Sequence, residues 1–269
     1  MEWKNIYRGI VMGASDVIPG VSGGTIAVLL GIYDRLIEAI NGVFSKGWKK
    51  QLSFLIPLGL GIVLSIFSLS RLMEWLLHTH PGPTYFFFLG LILGVLPFLF
   101  RQARAKSTFK AQQYVLLVIG AILIASLAFL NESEGAVIEN MTFATYFLLF
   151  VSGFIGSSAM ILPGISGSFI LLVIGVYPTV IGAISNFKLD IIAVTGAGIA
   201  LGIIIMSKVI HYFLTHYRIS TFAVIIGMVI GSFFVIFPGW PANLTLTFVS
   251  ILTFIIGLVA AYILGKIEY

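Results

Sequence analysis

No cysteine occurs among the 269 residues, and only 9% of them are charged. The first absence excludes a disulfide framework, thiolate metal sites and thiol catalysis. The second excludes a soluble domain, which needs about a quarter of its residues charged to cover its surface. Met1-Glu2-Trp3-Lys4 lacks the charged region, apolar core and small-residue cleavage site of a secretory signal, so the first apolar stretch is expected in the mature fold. What is present is apolar: 59% hydrophobic residues and a mean hydropathy of +1.11. The apolar runs are long and continuous, without the ten-residue alternation of a transmembrane barrel. The fold class is therefore an all-α polytopic membrane protein. The formal charge of +5 does not point to nucleic acid, because the basic residues flank apolar spans as the positive-inside rule expects.

Six stretches read as spanning helices, over 52–77, 84–100, 112–130, 189–214, 221–237 and 245–265. Two further apolar regions, 5–40 and 142–185, are interrupted by Asp16-Val17-Ile18-Pro19-Gly20-Val21-Ser22-Gly23-Gly24 and by Leu162-Pro163-Gly164-Ile165-Ser166-Gly167-Ser168. Neither interruption continues a helix, because proline removes a donor and clustered glycine is entropically costly. Each region is predicted to be two short helices meeting at a loop. A loop at membrane depth must be buried in protein or line a wet cavity, so both regions read as re-entrant hairpins. With that topology and a cytoplasmic N-terminus, Lys4, Arg8, Lys46, Lys49, Lys50, Arg101, Arg104, Lys106, Lys110, Arg218 and Lys266 fall inside, and only Lys188 outside. A kinked helix passing straight through at either break spoils this order.

The chain also repeats itself. Residues 8–40 align without a gap on 152–184, at an offset of 144. Gly9, Pro19, Gly20, Ser22, Gly23, Ile26, Gly31, Tyr33, Ile37, Ala39 and Ile40 meet identical counterparts. The match continues at an offset of 137: Gly59 and Gly61 fall on Gly196 and Gly198, Ser70-Arg71 on Ser207-Lys208, and Gly90 and Gly94 on Gly227 and Gly231. Two repeats follow, 1–135 and 141–269, each one hairpin plus three spans. Three is odd, so the halves lie in the membrane with opposite orientation and their breaks converge near the midplane. Inverted repeats with broken helices at a central site mark secondary transporters. The Gly90/Gly94 and Gly227/Gly231 spacings read as helix-packing faces.

Each break leads into a new helix whose first N–H groups are free and whose dipole end is positive, a natural phosphate site. The candidate phosphate-binding residues are Pro19, Gly20, Ser22, Gly23, Gly24 and Thr25 in the first break and Pro163, Gly164, Ser166, Gly167 and Ser168 in the second. The serines alternatively just cap the half-helices. Arg71 and its counterpart Lys208 are intramembrane cations, one per vestibule, that join this set. Arg71 has Glu74 three residues on as a neutralising partner, whereas Lys208 has His211 there. Asp16, whose counterpart is Met160, carries a coupling proton or cation, or bonds to the loop backbone. Asp16, Glu74 and His211 are thus candidates for coupling or gating. No metal site and no cofactor are indicated.

Enzyme readings compete. Gly20-Val21-Ser22-Gly23-Gly24 fits G-x-S-x-G, but without the strand-turn-helix that a nucleophile elbow needs. An intramembrane serine protease, with His211 as base, needs the nucleophile once, and the motif occurs twice. Pro163-Gly164-Ile165-Ser166-Gly167-Ser168 resembles the Pro-Gly-x-Ser-Arg-Ser signature of membrane undecaprenyl-diphosphate phosphatases. Gly167 stands where that family has its arginine, and the family's paired glutamates are missing from the first hairpin. That favours holding a phosphate over cleaving one. An anion channel built on the same half-helices is a further alternative.

Taken together, the two motifs resemble the bacterial polyprenyl-phosphate translocases over essentially the whole chain. The resemblance implies a non-enzymatic lipid transporter that returns undecaprenyl phosphate from the outer to the inner leaflet for reuse in envelope synthesis. It implies a multi-pass protein of the bacterial cytoplasmic membrane whose partners are the polyprenyl phosphate lipid and the bilayer; the charge pattern puts both termini on the cytoplasmic side, and a proton or sodium is a candidate coupling ion. Coupling ion, net direction of transport, lipid chain length and oligomeric state are open at this point.

Overall fold

A computed structural model describes residues 1–16, 22–43, 45–130, 137–138 and 140–268, with the backbone alone at 70, 71, 74 and 185. The described residues form thirteen α-helices and one 3-10 turn, with no strand among them. Seven helices are long and apolar enough to cross a bilayer: α4 (Trp48–Thr79), α5 (Pro81–Gln102), α7 (Ala111–Ala125) with its 3-10 extension to Phe129, α8 (Phe143–Ile161), α11 (Leu189–His216), α12 (Arg218–Ile236) and α13 (Leu244–Glu268). The chain is a multi-pass membrane protein. Helices cover each of the six stretches expected to span, and most run a few residues beyond the predicted ends because polar residues such as Lys49, Lys50 and Arg101 continue the helical turn.

The interrupted regions differ from expectation in two respects. Each contains three helices instead of two: α1 (Asn5–Asp16), α2 (Gly23–Leu29) and α3 (Tyr33–Gly42) in the first, and α8, α9 (Gly167–Ile174) and α10 (Tyr177–Ser185) in the second. The additional turn falls at Gly31 (φ 64°) and at Gly175 (φ 85°), repeat counterparts held in the left-handed conformation that glycine adopts without steric cost. Beyond Gly175 the chain bends by 115° into α10. Nor is α8 a short half-helix: nothing interrupts the apolar run before Leu162-Pro163, so it extends over 19 residues.

Four helix pairs dominate the packing: α1 with α4, α8 with α11, α5 with α13 and α7 with α12. Glycine lets these backbones meet. A Cβ on Gly61 would stand 2.1 Å from the Ile6 carbonyl oxygen, and one on Gly198 would stand 2.1 Å from that of Phe150. Gly90 faces the Phe254 carbonyl at 2.1 Å, and Gly227 faces the Leu117 carbonyl at 2.0 Å. In both comparisons the second contact is the first moved along the chain by the offsets of the alignment, 144 or 137. The same holds for Gly59 and Gly196, which both face open space. So Gly90/Gly94 and Gly227/Gly231 are seam residues, as their small-residue spacing suggests. The partner of each is a helix from the other half of the chain.

Candidate functional site

Residues from the two breaks bond to each other. Thr25 Oγ1 accepts a hydrogen bond from the Gly164 backbone N–H at 2.8 Å. Ser22 Oγ lies 3.3 Å from the Met160 carbonyl and 3.5 Å from that of Leu162, and the Tyr33 hydroxyl donates to the Ile161 carbonyl at 3.2 Å. Ser22 and Thr25 are 1% and 3% exposed, so these are interior bonds. The chain can make them because Leu162-Pro163-Gly164 leaves the helical path and frees carbonyls and an N–H that α8 and α9 would otherwise consume. Gly164 has φ +91°, and a Cβ there would meet the Met228 carbonyl at 2.8 Å. Only glycine fits that turn.

The two short helices are capped differently. Ser22 is the N-cap of α2, its Oγ accepting from the Gly24 N–H at 3.1 Å. The Gly23 N–H donates to Asp16 Oδ1 at 2.6 Å. A carboxylate of the protein therefore already sits at the dipole-positive end of α2. Of the two roles the sequence leaves open for Asp16, the backbone bond is observed. At α9 the corresponding place belongs to Met160. Ser166 makes no side-chain cap there, and its hydroxyl instead pairs with that of Ser168 at 2.7 Å. Ser168 and Gly167 are half-buried, whereas Pro163, Gly164 and Ser166 are buried. The α9 end is thus the one whose N–H groups no side chain occupies among the described residues.

Beside the breaks lies a cleft of about 460 Å³ between α7, α11 and α12. Its inner end is formed by Tyr33, Leu162, Met206 and Met228, and its walls by Leu116, Val209, Ile210, Phe213, Val224 and Ile225. Gln112, Tyr217, Ser220 and Thr221 edge the opposite end. The cleft is mainly apolar, and the Pro163-Gly164 apex is packed against α12 and does not stand free in water.

The structure brings Asp16, Ser22, Gly23, Gly24 and Thr25 together with the 160–164 stretch of the second break, whereas Ser166, Gly167 and Ser168 just beyond it contact one another and α8. It does not bring Lys208 or His211 into this group. Both are exposed, and the 100° helical step places them on the side of α11 opposite Met206, Val209, Ile210 and Phe213. Pro19 and Gly20, and the side chains of Arg71 and Glu74, lie outside the described residues. Sequence reading missed Tyr33, whose only signal is its identity with Tyr177 in the repeat. It also missed the ion pairs that tie helix ends together, Arg8–Glu268 at 2.5 Å and Arg218–Asp34 at 2.6 Å. Each joins residues more than 180 positions apart, a separation at which charge pattern carries no signal.

Known proteins resemble this chain over most of its length. A protein from Staphylococcus aureus (strain NCTC 8325 / PS 47) named polyprenyl-phosphate transporter is 46% identical over 274 residues, covering 99% of this chain and 97% of the relative. One of the same name from Vibrio cholerae serotype O1 (strain ATCC 39315 / El Tor Inaba N16961) is 41% identical over 259 residues, covering 91% of this chain and 80% of the relative. No solved structure matches. The model of the family described as undecaprenyl phosphate translocase-like matches residues 12–250, and the chain belongs to that family.

Proposed function

We propose that the chain is a lipid carrier, not an enzyme, that moves undecaprenyl phosphate from the outer to the inner leaflet of the bacterial cytoplasmic membrane. The transported headgroup binds where the two breaks meet, and the two repeats, inserted with opposite orientation as re-entrant hairpins plus three spans each, rock around that site. Both termini lie on the cytoplasmic side.

The observation that carries this reading is the meeting of the two Gly- and Ser-rich breaks, some 140 residues apart in sequence, joined through Ser22, Thr25 and Gly164. Moving a phosphate through hydrocarbon costs many kcal/mol unless N–H groups and hydroxyls replace its hydration. The breaks hold such donors: the first amides of α9, the Ser166–Ser168 hydroxyl pair and the Gly164 N–H. In the structure the breaks are closed on one another, so loading parts them, and phosphate oxygens take over the bond that Thr25 makes to Gly164. The recurrence of the glycine contacts at the repeat offsets supports two like halves able to exchange roles. The names of the relatives support the substrate.

In proteoliposomes, the purified protein is expected to move labelled undecaprenyl phosphate between leaflets. It is expected to release no inorganic phosphate from undecaprenyl diphosphate. Phosphate release without translocation overturns the carrier reading in favour of a phosphatase. Ion conductance in the absence of lipid favours an anion channel.

A further inference from the structure

A polyprenyl phosphate has two parts, and the breaks account for only one of them. We propose that the cleft between α7, α11 and α12 holds the first isoprene units of the transported lipid, so that the protein, not the bilayer, carries the chain nearest the phosphate. This rests on the carrier reading and assigns it a second binding surface.

Position is the first argument. The inner end of the cleft is Leu162, the residue before the Pro163-Gly164 apex, together with Met228, whose carbonyl lies against Gly164. Tyr33 lines the same end while bonding to the Ile161 carbonyl. A lipid whose phosphate sits at the breaks therefore has its first carbons at the inner end of this cavity. Shape and chemistry are the second argument. The walls are hydrocarbon, and an apolar void of this kind stays dry and takes an apolar guest. Met206 and Met228, flexible and polarisable, suit the irregular outline of a methyl-branched chain. Access is the third. Val209 (42% exposed), Phe213 (46%) and Tyr217 (54%) form one edge, which leaves the cleft open at the side through which a long tail must trail into lipid.

The other half of the molecule offers a contrast. Phe88 and Leu91, the counterparts of Ile225 and Met228, line a void of only about 10 Å³ beside Thr25. These two positions therefore pack against α2 instead of facing a cleft of comparable size. The open cleft ends at Gln112, Tyr217 and Ser220, each within two residues of Lys110 or Arg218, basic residues of the expected cytoplasmic loops.

The test uses a photo-reactive benzoylphenylalanine at position 225, inside the cleft, and at position 255, which is 49% exposed on α13. Each protein is placed in vesicles of phosphatidylethanolamine and phosphatidylglycerol doped with undecaprenyl phosphate, and the adducts are weighed. Position 225 is expected to capture undecaprenyl phosphate at least about tenfold above its share of the lipid, while position 255 captures lipids in proportion. A second arm fills the cleft with Ile210→Trp and is expected to weaken undecaprenyl phosphate binding by about tenfold or more. If unsubstituted protein moves undecaprenyl phosphate yet position 225 captures only bulk phospholipid, the tail inference fails and the carrier reading stands. If unsubstituted protein neither binds nor moves it, both fail.

Discussion

Gly227→Ala tests the packing on which the site rests. The added Cβ would lie 2.0 Å from the Leu117 carbonyl oxygen, 2.8 Å from its carbon and 3.0 Å from the Ala121 nitrogen. All three are backbone atoms of α7 and cannot swing aside, and ordinary contact begins at 3.4 Å. α12 and α7 must therefore separate by roughly an ångström, and a radial gap of that order forfeits up to about half the dispersion energy of each facing pair along the seam. Overpacking of this kind costs about 1–3 kcal/mol, against at most about 1 kcal/mol returned by replacing glycine within a helix. Gly196→Ala is the control, because nothing lies within 4 Å of its Cβ. The assay is thermal unfolding in detergent at a fixed scan rate, where about 1 kcal/mol corresponds to about 2–4 °C for a chain of this size. Gly227→Ala is expected to melt several degrees below the unsubstituted protein, and Gly196→Ala at or slightly above it. Equal melting of the two variants refutes the seam geometry.

Three further outcomes follow from the break region. Thr25→Val leaves the buried Gly164 N–H without an acceptor and is expected to cost about 1–3 kcal/mol in the same melt, while Thr25→Ser keeps the bond and stays close to the unsubstituted protein. Asp16→Asn keeps an oxygen for the Gly23 N–H but removes the charge at the α2 terminus, so undecaprenyl phosphate is expected to bind more tightly by up to about tenfold in a titration. Unchanged or weaker binding shows that the carboxylate does not compete with phosphate. Ser166→Ala with Ser168→Ala removes two hydroxyls that bond to each other, so a clear loss of lipid binding is expected with melting nearly unchanged.

The second break was legible in the sequence because Pro163-Gly164 stops α8, Gly164 taking a φ of +91° that no helix contains, while Pro19-Gly20 of the first lies outside the described residues. The glycine seams were legible as faces but not as pairs: spacing says that Gly90 and Gly94 share a side of α5, and nothing in it says that α13 lies opposite. The second turn of each interrupted region, at Gly31 and Gly175, was hidden because one glycine between two apolar turns is also tolerated inside a helix. The contrast between the two helix termini was half visible. Asp16 opposite Met160 announces an asymmetry, but only the Gly23–Asp16 bond shows that the carboxylate occupies the anion end of α2. The expectation that Lys208 faces the substrate rested on the cost of burying a cation, and Lys208 instead points away from the cleft on α11, where a long stem allows its charge to snorkel toward the headgroups. The cleft had no sequence signal, being assembled from helices whose lining residues are scattered from 33 to 228.

The most direct measurement compares leaflet-to-leaflet transfer of labelled undecaprenyl phosphate by the unsubstituted protein and by a Ser22→Ala, Ser166→Ala double variant, at matched reconstitution and with intact folding verified by circular dichroism. The account predicts rapid transfer by the first and a large loss in the second. Transfer by the double variant at the unsubstituted rate, in correctly folded protein, would contradict the assignment of the two breaks as the phosphate site.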